Sequence, residues 1–257
     1  MDNYKDIKAL NYSGAKQILK SPAHFQASLL EERKDSPALK FGRLVHLALL
    51  LPREFVRIVK IKPDLDGRTT EGKAAKKAFE ESLVEGDEIV DQEMYDVIND
   101  ITESAEIAVA SLGIDAATWI TETPYSMEYN GVAIKGRPDL ITKINGELVV
   151  VDLKTCMDAS PAEFARTVHN FKYHMQAAWY LKLTGAKKFI FVAVEKEYPY
   201  AFRVYQLDEA SISEGQKLMD ESVLIYNNST KFNSWPSYTK DLTELSLPRY
   251  AFTSTNQ

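Results

Sequence analysis

Residues 136–154 read GRPDLITKINGELVVVDLK, and the fold turns on the Asn145-Gly146 pair in their middle. Asn-Gly between β-prone residues is the strongest short-range hairpin signal, because a two-residue turn of that type needs positive φ at both central positions. With Asn145 and Gly146 as the loop, Ile144 faces Glu147, and paired positions sum to 291. Asp139 then pairs with Asp152. Their Cβ atoms should lie roughly 5 Å apart. Lys154, two residues beyond Asp152, falls on the same face. Pro138 cannot donate to a ladder, so a bulge there is expected to disturb the register slightly.

Working outward, Asn130-Gly131 marks a second hairpin of the same kind. Three consecutive antiparallel strands follow, about 118–129, 132–144 and 147–153. Leu148-Val149-Val150-Val151 is apolar on both faces, so the third strand should lie inside a sheet covered on both sides. Ser160-Pro161-Ala162-Glu163 has the pattern of a capping box with Pro at the first helical position. The helix it opens is read as broken near Asn170 and ended by Gly185. Segments 189–194 and 202–206 read as strands. Ile212, Met219, Val223 and Tyr226 mark an amphipathic helix over about 209–227, and the Ser/Thr/Pro-punctuated tail from Ser229 reads as irregular.

Upstream, 13–20 reads as a short helix stopped before Pro22, and 37–51 as a longer one. In the latter Leu44, Leu47, Ala48 and Leu51 form the core face. Gly42 and His46 share another face, with Gly42 permitting close approach of a neighbouring element. Segment 63–70 (PDLDGRTT) reads as a loop, and 71–83 as a polar helix. The predicted fold is α/β: a central mixed sheet with the three-strand meander at its heart, flanked by helices. It is read as a single domain over 1–257, with a helical N-terminal elaboration (about 1–110) and a core (about 111–230).

With 45% hydrophobic and 26% charged residues, the chain can bury a sizeable core, and disorder is not the default. The longest apolar run, 44–51, is too short to span a bilayer. The stretch MDNYKDIKAL lacks a signal-like apolar segment, so a cytoplasmic protein without a membrane partner is expected. Cys156 is the single cysteine, which excludes intramolecular disulfides and a cluster held by four cysteines of one chain. A net charge of −6 argues against coating nucleic acid by bulk attraction. It leaves room for an enzyme with a local basic channel.

Two carboxylates about 5 Å apart repel by about 3 kcal/mol at an effective dielectric of about 20. Sheets do not usually oppose like charges. A divalent cation reverses the sign, and Mg²⁺ suits a site with one or two carboxylates that leaves positions for water and phosphate. Lys154 beside it could orient an attacking water or stabilise phosphate charge. An isolated Asp-x-Lys is usually surface charge. Here Asp152 ends an apolar strand and has a register-matched Asp partner.

At these residues the sequence resembles the PD-(D/E)XK nuclease superfamily, through Pro138-Asp139 and Asp152-Leu153-Lys154. It is most similar to the branch of RecB-like and RecE-like exonucleases. Gly42-Arg43-Leu44-Val45-His46 resembles that branch's helical histidine motif, Gly136-Arg137-Pro138-Asp139 its Gly-Arg-x-Asp strand, and Gln176-Ala177-Ala178-Trp179-Tyr180 its Gln-x-x-x-Tyr helix. Segments 21–25 and 68–73 are similar to the C-terminal nuclease domain of exodeoxyribonuclease VIII. The resemblance implies a metal held by His46, Asp139, Asp152 and the Leu153 carbonyl. Mg²⁺ is the expected ion, with Mn²⁺ as a substitute. It further implies that Lys154 positions the nucleophilic water, and that Gln176 and Tyr180, one helical turn apart, buttress the site or contact DNA.

The expected activity is hydrolysis of linear double-stranded DNA from a 5′ end, with release of 5′-mononucleotides, in recombination or phage-type DNA processing. Water attacks phosphorus in line and the 3′-oxygen leaves. A ring-shaped homo-oligomer and a single-strand annealing recombinase as partner also follow from the resemblance alone. Arg43, Arg68 and Lys73 are the candidate DNA-binding residues. Lys76 and Lys77 rank below them, because isolated basic residues are usually solvated. Tyr173 and Tyr180 could stack on bases, whereas Trp179 reads as core; His24, His169 and His174 are assigned structural or surface roles. Three rivals stay open: an endonuclease or single-strand nuclease of the same superfamily, a non-catalytic DNA-binding recombination module, and a hydrolase of small phosphate esters. The last lacks a Gly-rich phosphate cradle.

Overall fold

Both Asn-Gly turns form, with positive φ at Asn130, Gly131, Asn145 and Gly146. A computed structural model describes residues 4–30, 36–66, 68–114, 118–239 and 241–247. In chain order the elements are β1 (Leu10–Asn11), α1 (Tyr12–Lys20), α2 (Pro22–Leu30), α3 (Pro37–Leu50), α4 (Pro52–Ile58), β2 (Val59–Ile61), α5 (Thr70–Ser82), β3 (Glu88–Val90) and α6 (Gln92–Ala110). Then follow β4 (Ile120–Thr121), β5 (Tyr125–Tyr129), β6 (Val132–Gly136), β7 (Leu140–Ile144), β8 (Glu147–Cys156), α7 (Pro161–Phe171), α8 (Tyr173–Thr184), β9 (Lys188–Glu195), β10 (Phe202–Gln206) and α9 (Glu209–Lys231).

The fold is mixed α/β. A five-stranded sheet runs β10-β9-β8-β7-β4, with β8 and β9 parallel and the other pairs antiparallel. The register of β7 and β8 is the one derived from the turn: Ile144 faces Glu147 and Leu140 faces Val151. One face of the sheet (Leu140, Val149, Val151, Leu153) packs with Leu44, Ala48 and Ile98 of α3 and α6. The other (Ile141, Val150) packs with Phe164 and Ala177 of α7 and α8. This is why the Val-rich β8 reads as apolar on both sides.

The meander does not lie in one sheet. β5 and β6 join β1 in a separate three-stranded sheet, while β4 and β7 belong to the five-stranded one. The hairpin keeps a single register through the change, Tyr125 facing Gly136 and Thr121 facing Leu140. Both of its strands break at the same level. Pro138 removes a ladder donor on one side, and Glu122 takes φ 49° on the other. The sequence places the disturbance at Pro138; its effect is a change of sheet rather than a slight bulge.

Other boundaries differ as well. The capping box does not form: Ser160 precedes α7 without a side-chain cap, its N–H donates to Asp158 Oδ1 at 2.7 Å, and Glu163 is paired with Arg166. The α7–α8 break falls at Lys172, with φ 59°. α9 continues to Lys231, past the expected start of the irregular tail. Gly67 of the expected loop and the tail beyond residue 247 lie outside the described residues. α6 is not among the helices expected from the sequence, although Ile98, Ile101, Ala105 and Ala108 carry helical spacing and are fully buried. No helix among the described residues is long and apolar enough to cross a membrane.

Candidate active site

α3 delivers His46 to the end of β8. Its Nδ1 lies 2.7 Å from the Gly42 carbonyl one turn back, so Nδ1–H donates there. Its Nε2 is 2.9 Å from the Leu153 carbonyl oxygen and 3.1 Å from Asp139 Oδ2. Both are acceptors, so Nε2 also carries a proton and the ring is an imidazolium. Burial works against that charge, but the Asp139 carboxylate outweighs it and raises the His46 pKa to about 9. Asp139 Oδ2 further accepts the Leu153 N–H at 2.9 Å. Burial pushes the Asp139 pKa up, yet His46, Lys154 and this N–H together hold it below the usual carboxylate range.

Asp152 has no exposed surface. Its Oδ1 accepts from Gln176 Nε2 at 3.2 Å. Its Oδ2 is in contact with the Lys154 ammonium but receives no well-directed hydrogen bond. Burial raises the Asp152 pKa to about 6, against the pull of Lys154 and with the help of Asp139. Burial disfavours the Lys154 charge, but Asp152 and Asp139 more than compensate, so it stays an ammonium. Lys154 Nζ also sits 4.5 Å over the Tyr173 ring centroid.

The strand end, α3 and α8 therefore bring His46, Asp139, Asp152, Leu153, Lys154 and Gln176 together. Tyr180 follows one turn along α8, and burial raises its pKa well above the ordinary value, so the phenol keeps its proton. Gly136 allows that approach: a Cβ there would lie 2.8 Å from Tyr180 Cε1 and 2.6 Å from Leu183 Cδ1. Gly42 has no such role, since its Cβ would meet only Thr155 Oγ1 at 3.6 Å.

His46, Leu153 and Lys154 line an open cleft of about 710 Å³ with Arg43 and Lys196. Arg43 is ion-paired to Glu88 at 2.8 Å. Arg68 is paired with Asp66 in the loop before α5, and Lys73 stands exposed on α5. Neither lines the cleft. A smaller hollow of about 270 Å³, among Phe164, His174 and Tyr205, is lined by none of the residues of the site.

Sequence reasoning missed two residues. Glu122 donates its backbone N–H to the Asp139 carbonyl at 3.2 Å. Its pKa is raised by burial, resisted by Arg137 and reinforced by Asp139. The Asn130-Gly131 register, continued past the strand break, places 122 opposite 139, so the signal was present. Lys196 reaches the cleft because its N–H bonds the Cys156 carbonyl where β9 runs parallel to β8. A parallel pairing leaves no local turn signal.

Among the described residues, no three His, Cys, Asp or Glu side chains form a ready-made metal cage. The donor chemistry nevertheless fits a divalent cation. His46 Nε2, Asp139 Oδ2 and the Leu153 carbonyl converge on one proton, and the buried Asp152 Oδ2 beside them lacks a directed donor. Hard oxygen ligands with one imidazole suit Mg²⁺ or Mn²⁺. The Gly42 carbonyl fixes His46 in the tautomer that frees Nε2 for a metal once its proton leaves.

Residues 11–244 match the family model of the PDDEXK-like domain of unknown function (DUF3799), and the chain belongs to that family. No curated protein matches the sequence. The fold is similar to that of a provisionally assigned exonuclease from Eubacterium rectale, at a TM-score of 0.55 and 17% identity over 86% of this chain and 82% of that one. Weaker matches include a phage-related exonuclease from Haemophilus somnus 129PT, with TM-score 0.37 and 12% identity over 81% of this chain and 100% of that one. Another is the alkaline exonuclease of Laribacter hongkongensis, with TM-score 0.28 and 17% identity over 51% of this chain and 73% of that one.

Proposed function

We propose that this chain is a divalent-metal-dependent deoxyribonuclease that degrades linear duplex DNA from its ends, with residues 1–257 acting as one nuclease unit. One observation carries the reading. His46 Nε2, Asp139 Oδ2 and the Leu153 carbonyl oxygen converge next to the buried Asp152–Lys154 pair, and His46, Leu153 and Lys154 open from there onto the cleft, with the two aspartates set behind them.

His46, Asp139, Asp152 and the Leu153 carbonyl would hold the ion. When bound, it supplies Lewis-acid stabilisation of phosphoryl charge. Lys154 keeps its proton at Nζ and holds the attacking water in line with phosphorus. Gln176 fixes Asp152 by its 3.2 Å hydrogen bond. Tyr180 closes the same helix face, and Arg43 and Lys196 orient the phosphate backbone. The exonuclease choice over endonuclease follows the motif set from His46 to Tyr180. It agrees with the provisional assignment of the Eubacterium rectale protein as an exonuclease.

The test is a time course on linear duplex DNA labelled at the 5′ or the 3′ end, with Mg²⁺ and with chelator, beside covalently closed circular DNA. Early release of labelled mononucleotide from the 5′ end, with circles intact, is expected. Nicked circles would move the assignment to an endonuclease. Full activity in chelator, or in an Asp152→Ala protein, would overturn the metal site.

A further inference from the structure

Phe171, the last residue of α7, is an apolar ring left 53% exposed in the cleft that also holds Lys154. Its backbone is held on both sides. The Tyr12 hydroxyl donates to the Phe171 carbonyl at 2.6 Å, and Lys172 turns the chain through the left-handed region immediately after it. The Phe171 ring stacks on Tyr173, with centroids 5.6 Å apart and planes 20° off parallel. Tyr173 in turn carries the Lys154 ammonium 4.5 Å from its centroid. A fixed aromatic face thus stands two side chains from the group assigned to the scissile phosphate. Leu39 and Met157, 63% and 67% exposed, line the same cleft.

We propose that Phe171, seated on Tyr173, is a stacking shelf for the nucleobase beside the scissile phosphate; this rests on the nuclease reading above. The chemistry selects the occupant. Lys154, Arg43 and Lys196 complement phosphate, and the exposed ring complements a flat apolar partner; a nucleotide offers both. A base inside a duplex is covered on both faces by its neighbours, so the shelf takes one that is frayed or already unpaired. Stacking of this kind reads no sequence, because every base has a π-face. It therefore assists separation of the terminal pair without restricting which DNA is degraded.

The test uses a short duplex with 2-aminopurine as the 5′-terminal base, whose fluorescence falls when it stacks on an aromatic ring. Binding is followed with Ca²⁺ in place of Mg²⁺, under conditions shown to leave the DNA uncut. Wild-type protein is expected to quench the signal. Phe171→Leu, which keeps apolar area but no ring, should lose the quench and bind about tenfold more weakly. Phe171→Tyr should restore both. Binding by Phe171→Leu with unchanged quench would overturn the shelf while leaving the nuclease reading intact. Failure of the wild-type protein to bind any DNA end would overturn both.

Discussion

His46 holds two protons in the metal-free protein, one on the Gly42 carbonyl and one between Leu153 and Asp139. A cation must displace the second. With the His46 pKa raised to about 9, each pH unit below that value costs about tenfold in apparent metal affinity. Mn²⁺ titrated by electron paramagnetic resonance should therefore bind about tenfold more tightly at pH 8 than at pH 7. Equal affinities would remove His46 from the ligand set. Folding stability runs the other way in chelator. The folded pKa lies above the ordinary imidazole value of 6.5, so this contribution is complete below pH 6.5 and is lost as pH rises through 9. The melting temperature should fall across that window. Asp152→Asn tests the neighbouring carboxylate. It keeps the shape but removes the charge that offsets Lys154, so cleavage should fall by roughly 10²–10³-fold in single-turnover assays. The buried ammonium, left with a weaker partner, should lower stability by about 3 kcal/mol in denaturant unfolding.

The elements that could be read from sequence are those whose signals are local. Asn145-Gly146 sets the β7–β8 register, and from it the facing of Asp139 and Asp152 follows without any tertiary information. The change of sheet at Pro138 was not readable, because it depends on β1 offering Leu10 and Asn11 to β6 in parallel, a pairing over more than a hundred residues. The same holds for Lys196, carried in by β9. Gly136 marks the join between the two sheets and the helix that carries Gln176. A methyl group there would fall inside contact distance of both Tyr180 and Leu183. Gly136→Ala should cost about 1–3 kcal/mol by overpacking and shift α8 away from β6. Denaturant unfolding measures the first effect. The second should appear as a loss of activity out of proportion to the unfolded fraction, since Gln176 moves with the helix. A variant as stable and active as the parent would show that α8 does not need this close approach.

Over the whole molecule, the net charge of −6 repels DNA at long range, so affinity has to come from a few local cations. The fold decides which ones. Lys196 stands in the cleft with Lys154, and so does Arg43 although it is paired with Glu88, whereas Arg68, paired with Asp66, and Lys73, exposed on α5, lie outside it. Sequence could rank basic residues only by their neighbours along the chain, whereas contact with phosphate depends on which walls of the cleft they occupy. A cation that neutralises one phosphate releases about one counterion, so its removal should lower the slope of log affinity against log salt by about one. Fluorescence anisotropy with duplex DNA in Ca²⁺, from 50 to 200 mM salt, separates the two sets. Lys196→Ala should weaken binding and flatten the slope by about one. Lys73→Ala should leave both unchanged, because screening at physiological ionic strength confines a lysine's influence to about 8 Å. If instead Lys73→Ala flattens the slope, DNA extends across α5, and the binding surface is wider than the cleft.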